Sequence, residues 1–134
     1  MVTIDQKLKD SIAEVGILPL ATASKEGIPN VAPMGSIWVM DEKTIWIGDN
    51  FMKKTIQNVL ENPHAALYVW SRTIGGCVQL KCDVKVEKSG ENVEKMRTIL
   101  HEKKPNLPGK SLLILTVTEI YECAPGPNAG TLLQ

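Results

Sequence analysis

Residues 76–88, GCVQLKCDVKVEK, constrain this chain more tightly than any other stretch. Val78, Leu80, Cys82, Val84 and Val86 alternate with Gln79, Lys81, Asp83, Lys85 and Glu87. A period of two puts the first set on one side of a strand and the second set on the other. Such a strand buries one face and needs partners. The sequence supplies five more: Ile17–Ser24, Asn30–Met40, the strand starting at Thr44, Ala65–Ser71 and Ser111–Cys123. Most of the connections are short, which makes the sheet antiparallel. Six strands of this length bury their apolar faces best by closing into a barrel.

Three helices complete the expectation. Thr3–Val15 places Ile4, Leu8, Ile12 and Val15 on one face, with Thr3 and Gln6 as a capping box and Gly16 as the stop. Glu91–Lys103 turns Val93, Met96, Ile99 and Leu100 inward. The third follows the strand at Thr44: TIWIGDNFMKKTIQNVLENP runs from strand through a turn at Gly48-Asp49-Asn50 into a helix that stops at Asn62-Pro63. Asp49 and Asn50 are good N-cap types. Lys53, Lys54 and Thr55 then fall in the first turns, where backbone amides, two ammonium groups and a hydroxyl suit a phosphate. Just upstream, Pro33 and Gly35 interrupt a strand, which marks a bulge, an edge or a ligand passing close to the backbone. The tail 124–134, with PGPNAG, reads as irregular.

Composition narrows the function. The 134 residues form one domain, 1–134, with 15 basic and 15 acidic side chains. That balance gives no reason to expect nucleic acid or an anionic membrane. The N-terminus has no signal core and no apolar run spans a membrane. The three cysteines form no disulfide framework, so reduced thiols in a cytoplasm are expected. Cys77 and Cys82 fall on opposite faces of a strand, and no paired-cysteine motif exists, so no metal site is expected. No nucleophile elbow, dinucleotide fingerprint or Walker loop is present, and no catalytic acid or base can be named. His64 reads as structural and His101 as a partner of its helix end. Trp38, Trp46 and Trp70 read as core or interface residues.

The segments LATASKEGIPNVAPM, TIWIGD, KKTIQNVLENPHAAL and GCVQLKCDVKV, in that order and at these intervals, resemble the pyridoxamine 5′-phosphate oxidase-related FMN-binding split barrels, especially their short members. The resemblance implies a six-stranded antiparallel split β-barrel of Greek-key type with about three flanking helices. It implies FMN, with Met34, Gly35 and Ser36 passing the flavin ring through backbone groups. Ile47, Gly48 and Asp49 would flank the ribityl chain and ring. Lys53, Lys54 and Thr55 would hold the phosphate, and Gln79 and Lys81 would reach the flavin or its phosphate, commonly from a second subunit. A homodimeric flavoprotein is thus implied, an oxidoreductase or electron carrier with an unidentified small-molecule or protein electron donor. The chain has Cys82 where many members carry glycine. It also lacks the longer members' C-terminal substrate segment, which argues against vitamin B6 oxidation. The alternatives are a non-catalytic flavin-binding or sensing module, or a related split barrel using deazaflavin or haem; haem would need His64 or His101 if a histidine is its axial ligand.

Overall fold

The computed structural model describes residues 2–134. In chain order the elements are α1 (Gln6–Val15), β1 (Leu18–Ala23), β2 (Pro29–Met34), β3 (Ile37–Val39), β4 (Thr44–Asp49), α2 (Lys54–Glu61), β5 (His64–Ser71), β6 (Gly76–Glu87), α3 (Glu91–Lys103) and β7 (Ser111–Glu122). All the strands join one antiparallel sheet in the order β2-β1-β5-β6-β7-β4-β3.

That order dictates the shape. β2 and β3 are the two edges of the sheet, yet only Gly35 and Ser36 separate them in the chain. The sheet must therefore curl until its edges nearly meet, which makes it a split half-barrel. The sequence suggests one strand over Asn30–Met40; the chain instead breaks there into two, so the strands number seven rather than six. Pro29 and Pro33 lie on one edge, and the other edge strand is three residues long. Both are ordinary ways of blunting an edge.

The inside of the curl is the core. Leu20, Ile45, Ile47, Leu67, Val69, Leu80, Leu113 and Leu115 are fully buried there. β6 and β7, twelve residues each, form its longest ladder, with a register shift at Lys81/Cys82 opposite Thr118. The alternation of β6 survives the shift: Leu80, Cys82 and Val84 face the core. Leu8 and Ile12 of α1, with Ile4 just before the helix, plug the same core, and buried Ser11 accepts a hydrogen bond from Ser71 Oγ at 2.8 Å. A second cluster forms where Val93, Met96 and Leu100 of α3 cover Trp46 and Leu112. Trp70, by contrast, is 57% exposed.

Two helix starts differ from the sequence expectation. α1 is capped by Asp5, whose Oδ1 accepts from the Leu8 amide at 2.9 Å, rather than by Thr3. The Thr3 amide instead donates to Gln134 Oε1 at 2.8 Å, and Gln134 Nε2 donates to the Thr3 carbonyl at 2.9 Å. α2 starts at Lys54, and neither Asp49 nor Asn50 caps it. The tail is built of turns, as expected, but lies back along β7, with the Leu133 amide bonded to the Ile120 carbonyl and Gly130 to Glu122. Among the described residues, no helix is long and apolar enough to cross a membrane.

Candidate functional site

A cavity of about 460 Å³ opens where the two sheet edges meet. The end of β2, the Gly35-Ser36 break, Gly48 of β4 and the start of α2 line it, and Leu107 and Lys104 close it from beyond α3.

The break is held open by polar contacts. Asn50 donates through Nδ2 to Ser36 Oγ at 3.1 Å and accepts at Oδ1 from the Gly109 amide at 3.0 Å. The Gly48 amide bonds to the Ser36 carbonyl at 2.9 Å. Gly109 is required for this bracket: its φ is +56°, and a Cβ there would lie 3.1 Å from Leu100 Cδ2. At Gly48 a Cβ would meet Met96, Ser36 and Trp38 at 3.4 to 3.6 Å, so the wall is tightly filled behind it.

The start of α2 carries the polar end of the cavity. Lys53 occupies its N-cap position with no side-chain cap, so the amides of the first turn lack the usual side-chain acceptor. Thr55 is buried, and its Oγ1 accepts from Asn30 Nδ2 at 3.2 Å. Asn58, one turn on, donates to Thr22 Oγ1 at 3.1 Å, which fixes the helix against β1. Asp49 has other partners: Oδ1 accepts from the Met52 amide at 3.0 Å and Oδ2 from Ser111 Oγ at 2.8 Å. It braces the turn that delivers Lys53 and Lys54 instead of capping the helix.

The structure thus brings Met34, Gly35, Ser36, Gly48, Lys53, Lys54 and Thr55 around one cavity. Ile47 and Asp49 are buried behind it and do not line it. Gln79 and Lys81 lie elsewhere on β6. Gln79 borders a shallow apolar depression on the outside of the sheet with Pro19, Ala21, Val31, Ala66 and Tyr68. The sequence reading missed Asn30, Phe51 and Lys104. Phe51 is 73% exposed although it lines the cavity, and the available signal was an aromatic directly after the polar turn Gly48-Asp49-Asn50. Lys104 had none: it follows α3, and its contact with the site spans 69 positions of sequence.

Neither histidine lines the cavity. His64 Nδ1 lies 3.0 Å from Asp83 Oδ1, and His101 Nε2 lies 2.8 Å from the Leu107 carbonyl. Cys82 is buried in the core, and burial, reinforced by the Asp83 carboxylate, pushes its thiol up to about 12. No cluster of metal-binding side chains exists among the described residues.

The family model for pyridoxamine 5′-phosphate oxidase matches residues 4–124, nearly the whole barrel and its site. The chain belongs to that family. A relative in Methanocaldococcus jannaschii, an uncharacterised protein, is 40% identical over 123 residues, spanning 87% of this chain and 79% of its own. The family fold recurs in HupZ of Group A Streptococcus, with a TM-score of 0.80 at 24% identity over 95% of this chain and 99% of that one. It recurs in an FMN-binding protein of Syntrophomonas wolfei, with a TM-score of 0.69 at 19% identity over 86% and 82% of the two chains. HutZ, a haem storage protein of Vibrio cholerae, shares it too, with a TM-score of 0.68 at 15% identity over 89% and 94%.

Proposed function

We propose that the protein is an FMN-binding flavoprotein and that FMN occupies the cavity at the sheet edges. The observation that carries this reading is the joining, in one cavity, of an uncapped helix start bearing Lys53, Lys54 and Thr55 with the exposed backbone of Gly35 and Ser36. The first end matches a phosphate: charge-assisted bonds from two ammonium groups, a hydroxyl and free amides. The second offers backbone groups beside the largely apolar wall of Met34, Met52, Phe51 and Leu107, which suits a flat ring with polar edges. When bound, FMN would supply the redox chemistry, and the chain would supply position and charge. The FMN-binding neighbour from Syntrophomonas wolfei agrees with this choice. The haem-storage neighbour raises the alternative of haem, but no histidine of this chain reaches the cavity, and flavin needs no such ligand.

The reading includes a homodimer. Val31, Tyr68 and Trp70 expose apolar surface on the outer face of the sheet, around the depression bordered by Gln79. Contiguous exposed apolar surface of this kind marks interfaces. Pairing across it would place Gln79 and Lys81 of each subunit where they can approach the other's cofactor. The reaction class that follows is electron or hydride transfer through FMN.

Titrating FMN into cofactor-free protein tests the reading. Flavin fluorescence should be quenched at micromolar protein with one FMN per chain, and light scattering should give about twice the 14.7 kDa chain mass. Unquenched FMN at those concentrations would overturn the cofactor, and a 14.7 kDa particle would overturn the dimer.

A further inference from the structure

We propose that Lys104 sets the redox balance of the bound cofactor, by holding a positive charge against the flavin ring that favours its reduced, negatively charged form. This rests on the FMN reading above and assigns a role within that site to a residue outside the phosphate-binding helix start.

The first support is charge. The chain as a whole is balanced, 15 basic against 15 acidic side chains. The cavity is not: Lys53, Lys54 and Lys104 line it, and no carboxylate does. A phosphate monoester carries about −1.5 to −2 at pH 7. Lys53 and Lys54 balance that charge at the α2 end. Lys104 is left over, in a space that oxidised FMN, with its neutral ring, does not neutralise. Adding a hydride, one proton with two electrons, from a donor such as a reduced nicotinamide gives the ring one negative charge. The surplus in the cavity is one positive charge.

The second support is position. Thr55 is tied to Asn30 at one end of β2 by a 3.2 Å hydrogen bond. Lys104 Nζ donates to the Gly35 carbonyl at 3.1 Å, just past the other end. Asn30 and Gly35 are five residue steps apart along the chain, or about 16 Å at about 3.3 Å per residue if extended. The two cationic centres therefore stand at opposite ends of the cavity. A ligand with its phosphate at α2 and its ring along Met34–Ser36 directs the ring, not the phosphate, toward Lys104.

The third support is how Lys104 is held. Its backbone amide donates to the Leu100 carbonyl at 2.9 Å, closing the last turn of α3, and its own carbonyl accepts from the Leu107 amide at 3.2 Å. The root of the side chain is thus fixed, and its exposed tip reaches the Gly35 carbonyl. Only one of the three ammonium donors is used by Gly35, which leaves two for a ligand.

A purely structural role is the competing reading, in which Lys104 staples α3 to the break in the sheet. The experiment separates the two. FMN is titrated into the parent, K104Q, K104R and K54Q under anaerobic conditions, in both oxidised and dithionite-reduced form, and the midpoint potential of each complex is measured. K104Q should lose about tenfold more affinity for reduced than for oxidised FMN, which for a two-electron couple lowers the midpoint potential by about 30 mV. K104R should stay close to the parent, and K54Q should weaken both forms alike. Equal weakening of both forms by K104Q, or an unmoved potential, would overturn the role of Lys104 while leaving FMN binding intact. A parent protein that binds neither form would overturn the FMN reading itself, before any variant is compared.

Discussion

β6 and β7 on one side, and residues 29–55 on the other, are built on opposite principles. The first pair is long and regular: twelve residues per strand, alternating burial, one register shift. The second region contains two prolines and two glycines within strands or between them, a three-residue edge strand and a helix with no side-chain cap. The regular half ties up its polar backbone in ladder bonds and so has no backbone groups to offer a ligand. The irregular half leaves backbone groups, a helix start and lysines free around a cavity. Stability and recognition are thus carried by different strands, and substitutions should divide accordingly.

Leu80→Ala tests the regular half most severely. Leu80 is fully buried in β6 and touches the main core. Truncation should cost about 2–5 kcal/mol of folding stability, read from a denaturant midpoint, with FMN affinity unchanged wherever the protein remains folded. Lys54→Ala is the converse. Its loss should leave stability within about 0.5 kcal/mol, yet remove a charge-assisted bond worth about 1.5–3 kcal/mol. FMN should then bind about tenfold to a hundredfold more weakly, and riboflavin should bind as before. Equal loss for both ligands would place the phosphate elsewhere.

Gly109→Ala should blur the division. It forces a side chain into a left-handed backbone conformation and against Leu100. A cost of about 1–3 kcal/mol is expected, and because Gly109 also brackets Asn50, FMN affinity should fall with it. Stability lost without any change in FMN binding would show that the bracket is not needed for the site.

The smallest effect concerns alkaline pH. The Cys82 thiol is held up at about 12 in the folded chain, against an ordinary 9.0 when unfolded. The folded chain therefore keeps a proton that the unfolded chain gives up. This contribution is complete below about pH 9 and is lost as pH rises toward 12. Thermal midpoints measured at about pH 8 and about pH 10.5 should fall further apart in the parent than in Cys82→Ala. Identical pH dependence in the two proteins would mean that this thiol does not contribute.

The same division explains what could be read in advance. β6, β7 and α3 were legible because their signals are local: alternation in 76–88, an apolar run after Ser111 that continues into Thr116, Val117 and Thr118, and Val93, Met96 and Leu100 at helical spacing. The α2 boundary was not. Asp49 has the side chain of a cap, but its carboxylate is claimed by Ser111, 62 positions away. The break in Asn30–Met40 was visible in Pro33 and Gly35, but not that it parts the sheet into two edges. That depends on β3 pairing with β4 while β2 pairs with β1. Lys104 was illegible for the same reason, since only the closed sheet brings it to Gly35.

The near-meeting of β2 and β3 has a consequence for motion. Every neighbouring pair of strands in the sheet is joined by a ladder, from two paired residues between β1 and β5 to ten between β6 and β7, so parting them breaks backbone hydrogen bonds together. At the seam between the edges there is no ladder to break. The contacts that span the region are single ones, such as Lys104 to Gly35 and Asn50 to Ser36. Low-energy local opening follows the least bonded line in a fold. The seam is therefore where the sheet should part most readily. Amide hydrogen exchange along the outer edge of β2 should be fast in the empty protein and slow once the cavity is filled.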